Sequence, residues 1–200
     1  MPSQTVDVNT NPSLIPFVIG VTGHRDLRPD DVPALETAVR TVFAELWRRM
    51  PSTPLMLLSG LAEGADQLVA RVALSSGVQL SAILPMPAPL YRSTLDESAQ
   101  KPFDALLARA SVVVDLPFGD ATEEQLRVSA DSRIDRYEGL AVYLVTHSQA
   151  LIALWDGAPS EKKGGTAQVV RYMLEGLPGA AQKRPPAGPV YHIQTVRLSG

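Results

Sequence analysis

Short, almost unbroken apolar runs alternate along this chain with longer segments in which apolar residues return every three or four positions. The first pattern is that of a strand covered on both faces, and the second that of a helix with one buried stripe. Phe17, Val18, Ile19 and Val21 form the first run. Further strands are expected at 55–58, 79–84, 111–116 and 150–157, the last ending in Asp156 and Gly157. Val32, Leu35, Val39, Val42, Phe43 and Leu46 mark one helical face, extended by Trp47 and Met50 and stopped by Pro51 and Pro54. Asp30 or Asp31 can cap that helix, with Pro33 in its first turn. Leu68, Val69, Val72 and Ala73 mark a second helix that Gly77 ends, and residues 96–110 a third, with Pro102 as a kink or a restart. Residues 133–148 read as a fourth. Thr166 as N-cap, then Val169, Val170, Met173 and Leu174 on one face, start a fifth.

Two connections are expected to be irregular: the proline-punctuated residues 85–93, and the acidic stretch 117–131, long enough for a lid. Residues 190–196 alternate, or nearly so, and predict an edge strand. Strand and helix alternate throughout, which predicts a parallel sheet with helices on both faces. One domain is expected over residues 16–176, after a flexible lead at 1–15 and before a linker and edge strand at 177–200.

Composition narrows the chemistry. The 200 residues contain no cysteine, which removes disulfides, thiolate nucleophiles and cysteine-ligated metals. His24, His147 and His192 lie far apart, so no metal site and no cofactor are expected. Eighteen Lys and Arg against 21 Asp and Glu give a formal charge of −3, so any anion site must be local and nucleic acid is not an expected partner. Residues 1–13 have neither a basic start nor an apolar core of a signal sequence, and no apolar stretch approaches the roughly 20 residues of a membrane helix. A cytoplasmic location is expected.

Candidate chemistry gathers at the turns after strands. After the first strand come Gly23, His24 and Arg25: a glycine there lets backbone amides approach an anion, and the guanidinium can fork onto phosphate or carboxylate. The alternative is a turn glycine with a solvated arginine. After the second strand, Gly60, Glu63, Gly64 and Asp66 sit in a small-residue turn. There the carboxylates either complement the helix dipole or reach a ribose hydroxyl or Arg25. Tyr91 and Arg92 end the proline loop, where they either stack on and pair with a ligand or are merely solvated. Gly165 and Thr166 open the last helix, whose N-terminus suits an anion. Meeting of the first turn with that helix start is expected if the first and fourth strands are neighbours.

The stretches GVTGHRD, SGLAEGADQLVARVAL, and ALIALWDG followed by GGTAQVV resemble the SLOG superfamily, named for the SMF/DprA and LOG proteins. The second is similar to the SGLA-x-G-x-D stretch of the DNA-processing protein A family, and the helix with its tyrosines, the WDG strand end and the GGT start look closest to the YpsA-like branch. The resemblance covers residues 16–175. It implies a Rossmann-like fold in three layers with a pocket for a nucleotide or nucleotide derivative. Gly23, His24 and Arg25 would form its first phosphate turn, Gly60, Glu63, Gly64 and Asp66 the second loop, and Gly165 and Thr166 the third. It also implies a homodimer or larger assembly, with the helix at 133–148 as the contact, and an effector domain or partner protein.

Enzymes of the LOG branch carry a catalytic glutamate three residues after the threonine. This chain has Val169 there, and Gln149 where those enzymes have an acidic residue. Three readings follow: a ligand-sensing module for a nucleotide derivative, a nucleotide hydrolase with Glu63, Asp66 or Asp156 as acid/base group, and a single-stranded DNA binder using Arg25, Arg28, Arg92, Arg133 and Arg136. The first is preferred.

Overall fold

The computed structural model describes residues 15–117, 122–179 and 188–198. The expected lead at 1–15 thus lies outside the described residues except for Ile15, as does the middle of the expected linker. Six strands, β1 (Phe17–Gly23), β2 (Leu55–Ser59), β3 (Gln79–Leu84), β4 (Val112–Asp115), β5 (Ala150–Trp155) and β6 (Val190–Gln194), form one wholly parallel sheet in the order β4-β3-β2-β1-β5-β6. It is the parallel α/β sheet that the alternating pattern predicts, in the Rossmann-like arrangement that the resemblance implies.

Helices α1 (Val32–Arg49), α2 (Ala65–Ser75) and α4 (Glu97–Leu107) share the main core with one face of the sheet. Helices α6 (Ala130–His147) and α7 (Thr166–Glu175) cover the other. β5 shows why its run is unbroken: Ile152 and Leu154 enter the first core, while Leu151 and Ala153 enter the second. Side chains alternate across a strand, so a strand buried on both sides must be apolar at every position. A third, smaller core joins Leu58 and Ile83 to Leu144 of α6. No described helix is long and apolar enough to cross a membrane.

Several expectations are corrected. β1 neighbours β5, and the fourth strand lies at the sheet edge. Residues 85–93 are not irregular: Pro87 and Pro89 stand at the start of a short helix, α3 (Ala88–Arg92), where a missing N–H costs nothing. Within the supposed acidic connection, Thr122 and Gln125 form a reciprocal capping box that starts α5 (Glu123–Val128), and α6 begins at Ala130; residues 118–121 lie outside the described set. Pro102 sits inside an unbroken α4. Asp31 occupies the N-cap of α1, after a short 3-10 turn at Pro29–Asp31, but its side chain makes no cap hydrogen bond. Gln149 is far from any chemistry. Its Oε1 accepts the Val18 amide at 2.6 Å at the entry to β1, the end of the sheet opposite the strand C-termini.

Candidate functional site

The chain walks from β1 to β4 in one direction and then returns to β5 and β6 on the other side of β1. The switch point therefore lies between the carboxyl ends of β1 and β5, where open α/β sheets leave a crevice. A Cβ at Gly23 would lie 2.6 Å from the Leu154 carbonyl and run into Ala65, so only glycine lets the end of β1 pass between β5 and the start of α2. Gly64, the N-cap of α2, has φ +79° and presses on the carbonyls of His24 and Arg25. The Ala65 amide donates to His24 O at 2.9 Å. Leu61, fully buried, also takes a left-handed φ of 56°. Strain of this kind persists only where surrounding packing over-determines it, and it clusters at binding sites. The two small-residue turns are thus one interlocked unit.

His24 is buried, 3% exposed, and its Nε2 accepts the Asp156 amide at 3.1 Å. Burial, followed by the positive charge of Arg197, lowers its pKa, and Asp156 only partly opposes them. The ring is therefore neutral at pH 7, and accepting at Nε2 assigns its proton to Nδ1. Asp156 Oδ2 lies 3.2 Å from that ring nitrogen and 3.4 Å from Arg197 Nε, while Oδ1 accepts the Ala158 amide at 2.9 Å. Slight burial opposes the Asp156 charge, but the Ala158 amide and then the charge of Arg197 favour it and hold the carboxyl below its ordinary range.

Arg25 Nη1 donates to Glu63 Oε1 at 2.9 Å, and its guanidinium lies over the Tyr137 ring, 5.6 Å from the centroid. That pair is only partly screened from water and contributes chiefly by aiming the guanidinium. Asp66 is 8% exposed. Burial pushes its carboxyl up to about 7, against the amides of Ala62 and Gly60 and the charge of Arg25, which favour ionisation.

The third turn is anchored on α6. Gly164, at φ +67°, rests against Cβ and the backbone of Tyr137, where any side chain would collide. Its amide donates to Gln168 Oε1 at 2.5 Å, and Gln168 Nε2 donates to Glu138 Oε1 at 3.1 Å and to the Tyr172 hydroxyl at 2.7 Å. The N-cap of α7 is Gly165, not Thr166. No side chain caps the helix, which leaves its first amides without a side-chain partner.

These turns surround a cleft of about 580 Å³. Of the residues singled out from the sequence, Gly23, His24, Arg25, Asp66, Tyr91, Arg133, Gly165 and Thr166 line it, whereas Arg28 and Arg136 do not. Gly60, Glu63, Gly64 and Asp156 do not line it; Glu63 and Asp156 support lining side chains from behind. Tyr91 is 1% exposed and packs edge-on against Phe103 at 5.8 Å, so it belongs to the wall and is not a free stacking platform. Arg92 is absent from the lining: it pairs with Asp104 at 2.8 Å and Gln100 at 2.7 Å. Sequence reasoning missed Tyr137, Arg127, Lys162, Lys163 and Arg197 as lining residues. The adjacent lysines before the glycine turn were a legible signal. Arg197 had none, because the segment after β6 reaches the cleft through an antiparallel bridge to Leu27 and a Leu198 amide bond to Asp26 O.

Position 169, apolar and buried, also lines the cleft, so no carboxylate stands there. No group of three or more described His, Cys, Asp and Glu residues could hold a metal ion. No protein-family model matches the chain, and no curated protein matches it. Among solved structures it is similar to DNA processing protein A from Streptococcus pneumoniae, with a TM-score of 0.56 at 16% identity over 92% of this chain and 52% of that one. DNA processing protein A from Helicobacter pylori superimposes with a TM-score of 0.45 at 16% identity, over 78% of this chain and 61% of that one. The chain thus spans about half the length of the first of these proteins, and what it shares with it is the fold: the DprA-like, Rossmann-type fold that the SLOG resemblance implies.

Proposed function

We propose that this chain binds a phosphate-bearing, nucleotide-derived ligand in the cleft between the turn after β1 and the start of α7. One observation carries the reading. Six basic side chains, Arg25, Arg127, Arg133, Lys162, Lys163 and Arg197, line the cleft against two acidic ones, Asp26 and Asp66, in a chain whose formal charge is −3. The carboxylates that pair with four of these cations, Glu63, Glu123, Glu138 and Asp156, stand outside the lining. Cations held from behind are pre-positioned, and a ligand anion then meets donors whose ordering cost has already been met.

In this reading the β1 turn offers Arg25, and the α7 start adds its uncapped amides and the neighbouring lysines. Tyr137 and Leu140 supply apolar wall for a base or sugar. Neutral His24 acts through its grip on the Asp156 amide and keeps the β1 turn and the β5 end in register. Sensing without turnover is preferred because the acid/base position of the LOG enzymes is Val169. Of the acid/base candidates Glu63, Asp66 and Asp156, Asp66 alone lines the cleft and could serve a hydrolase instead. The fold shared with DNA processing protein A, together with the cationic lining, supports single-stranded DNA as the second reading.

A thermal-shift screen with nucleoside mono- and diphosphates, ADP-ribose, NAD and cyclic nucleotides tests the proposal, with chromatography of each hit. A rise in melting temperature that disappears in Arg25→Ala and Gly165→Val, with the ligand recovered intact, is the expected result. Recovery of free base or ribose phosphate assigns an enzyme. Binding of oligonucleotides alone, with affinity falling steeply as salt rises, assigns the nucleic-acid reading. Silence across the panel refutes the proposal.

A further inference from the structure

Building on that reading, we infer that the ligand carries at least two phosphate groups, in the manner of a nucleoside diphosphate or a pyrophosphate-bridged nucleotide, and that Arg197 holds one of them. The cations of the cleft include two sets tied to different parts of the fold: Arg25 and Arg197 beside the strand ends, and Lys162 and Lys163 in the turn before α7. Arg25 is fixed by Glu63 on the α2 side of β1, and Arg197 by Asp156 at the end of β5. Lys163 is drawn to Glu138 of α6 at 3.6 Å, and the Lys162 ammonium forms no ion pair among the described residues.

Tyr137 lies between the sets. Gly164, the residue after the two lysines, packs on its Cβ and backbone, while Arg25 lies over its ring. Arg25 and the turn that carries the lysines therefore meet different parts of one tyrosine. A single phosphate seated on one set leaves the other to water, whereas two linked phosphates engage both. Arg197 reaches the cleft only because the segment after β6 folds back across the β1 turn, held by the Leu27 bridge and the Leu198 to Asp26 hydrogen bond. Its guanidinium touches Asp156 through Nε at 3.4 Å, which leaves the terminal nitrogens for a ligand oxygen.

Isothermal titration of the full chain with AMP against ADP, and CMP against CDP, at constant ionic strength, tests this. The expected result is binding of the diphosphate at least tenfold tighter than its monophosphate. In Arg197→Gln and in the double variant Lys162→Gln/Lys163→Gln, each checked for an unchanged circular dichroism spectrum, that advantage falls below threefold. The monophosphate should weaken in only one of the two variants. Equal affinities for mono- and diphosphate overturn the two-phosphate inference, and a tenfold advantage that survives in Arg197→Gln overturns the role of Arg197; either result leaves the binding site standing. Absence of binding by all four nucleotides overturns the inference together with the reading on which it rests.

Discussion

Replacing Asp66 with asparagine tests the electrostatics of the cleft floor directly. The carboxyl titrates at about 7 in the folded chain and at 3.8 as an ordinary group, with desolvation the main cause and Glu63 a lesser one. A raised acid pKa means that between these values the unfolded chain has given up a proton that the native one still holds. Stability from this group is complete below pH 3.8, declines as pH rises, and is lost above about 7. At 1.4 kcal/mol per pH unit the interval amounts to roughly 4 kcal/mol, of which about 3 kcal/mol falls between pH 4.5 and 8.5. Asparagine keeps the shape and removes the titration. It also turns an NH₂ group toward the amides of Gly60 and Ala62, at a cost of about 1–3 kcal/mol. The variant should therefore be less stable than the parent at pH 4.5 and equal or more stable at pH 8.5, as measured by urea unfolding at each pH. Parallel stability curves for the two proteins across that range would refute the buried-carboxyl argument.

His24 acts in the opposite sense: its pKa is lowered by burial and by Arg197, so it contributes stability that is lost as pH falls below 6.5, and the Asp66→Asn background should show this acid limb without the opposing term. Gly64→Ala places a Cβ against the carbonyls of His24 and Arg25 at a left-handed φ, and should cost at least about 1–3 kcal/mol by thermal unfolding. Gln149→Ala strips the Val18 amide of its side-chain acceptor and should cost about 1 kcal/mol while leaving any ligand-induced shift in melting temperature unchanged. Arg92→Ala should likewise leave ligand binding unchanged, since its partners are Asp104 and Gln100; a lost shift in either variant would mean the cleft has been misassigned.

The order of strands and helices, and the three turns that carry the candidate chemistry, were legible in the chain because burial and backbone geometry are local demands. A strand covered on both faces has to be apolar throughout, as at Leu151 to Leu154, and close approach of backbones has to use glycine, as at Gly23, Gly64 and Gly164. α3 and α5 escape the pattern for a local reason as well: at 5 and 6 residues they are too short to show a helical period, and prolines such as Pro87 and Pro89 mark loops as readily as helix starts.

What tertiary structure alone decided is which side of each turn faces the ligand. Arg25 and Arg92 are alike in sequence, each an arginine closing a turn, yet one overlies Tyr137 in the cleft and the other is held by Asp104 outside it. Pairing of β1 with β5, and not with β4, brought the lysines at 162 and 163 to the same cleft as the β1 turn. The return of the chain after β6 delivered Arg197 from more than 170 positions away. Contacts of that separation depend on strand order, and strand order is chosen by packing across the whole sheet, whose energy no single stretch of sequence contains.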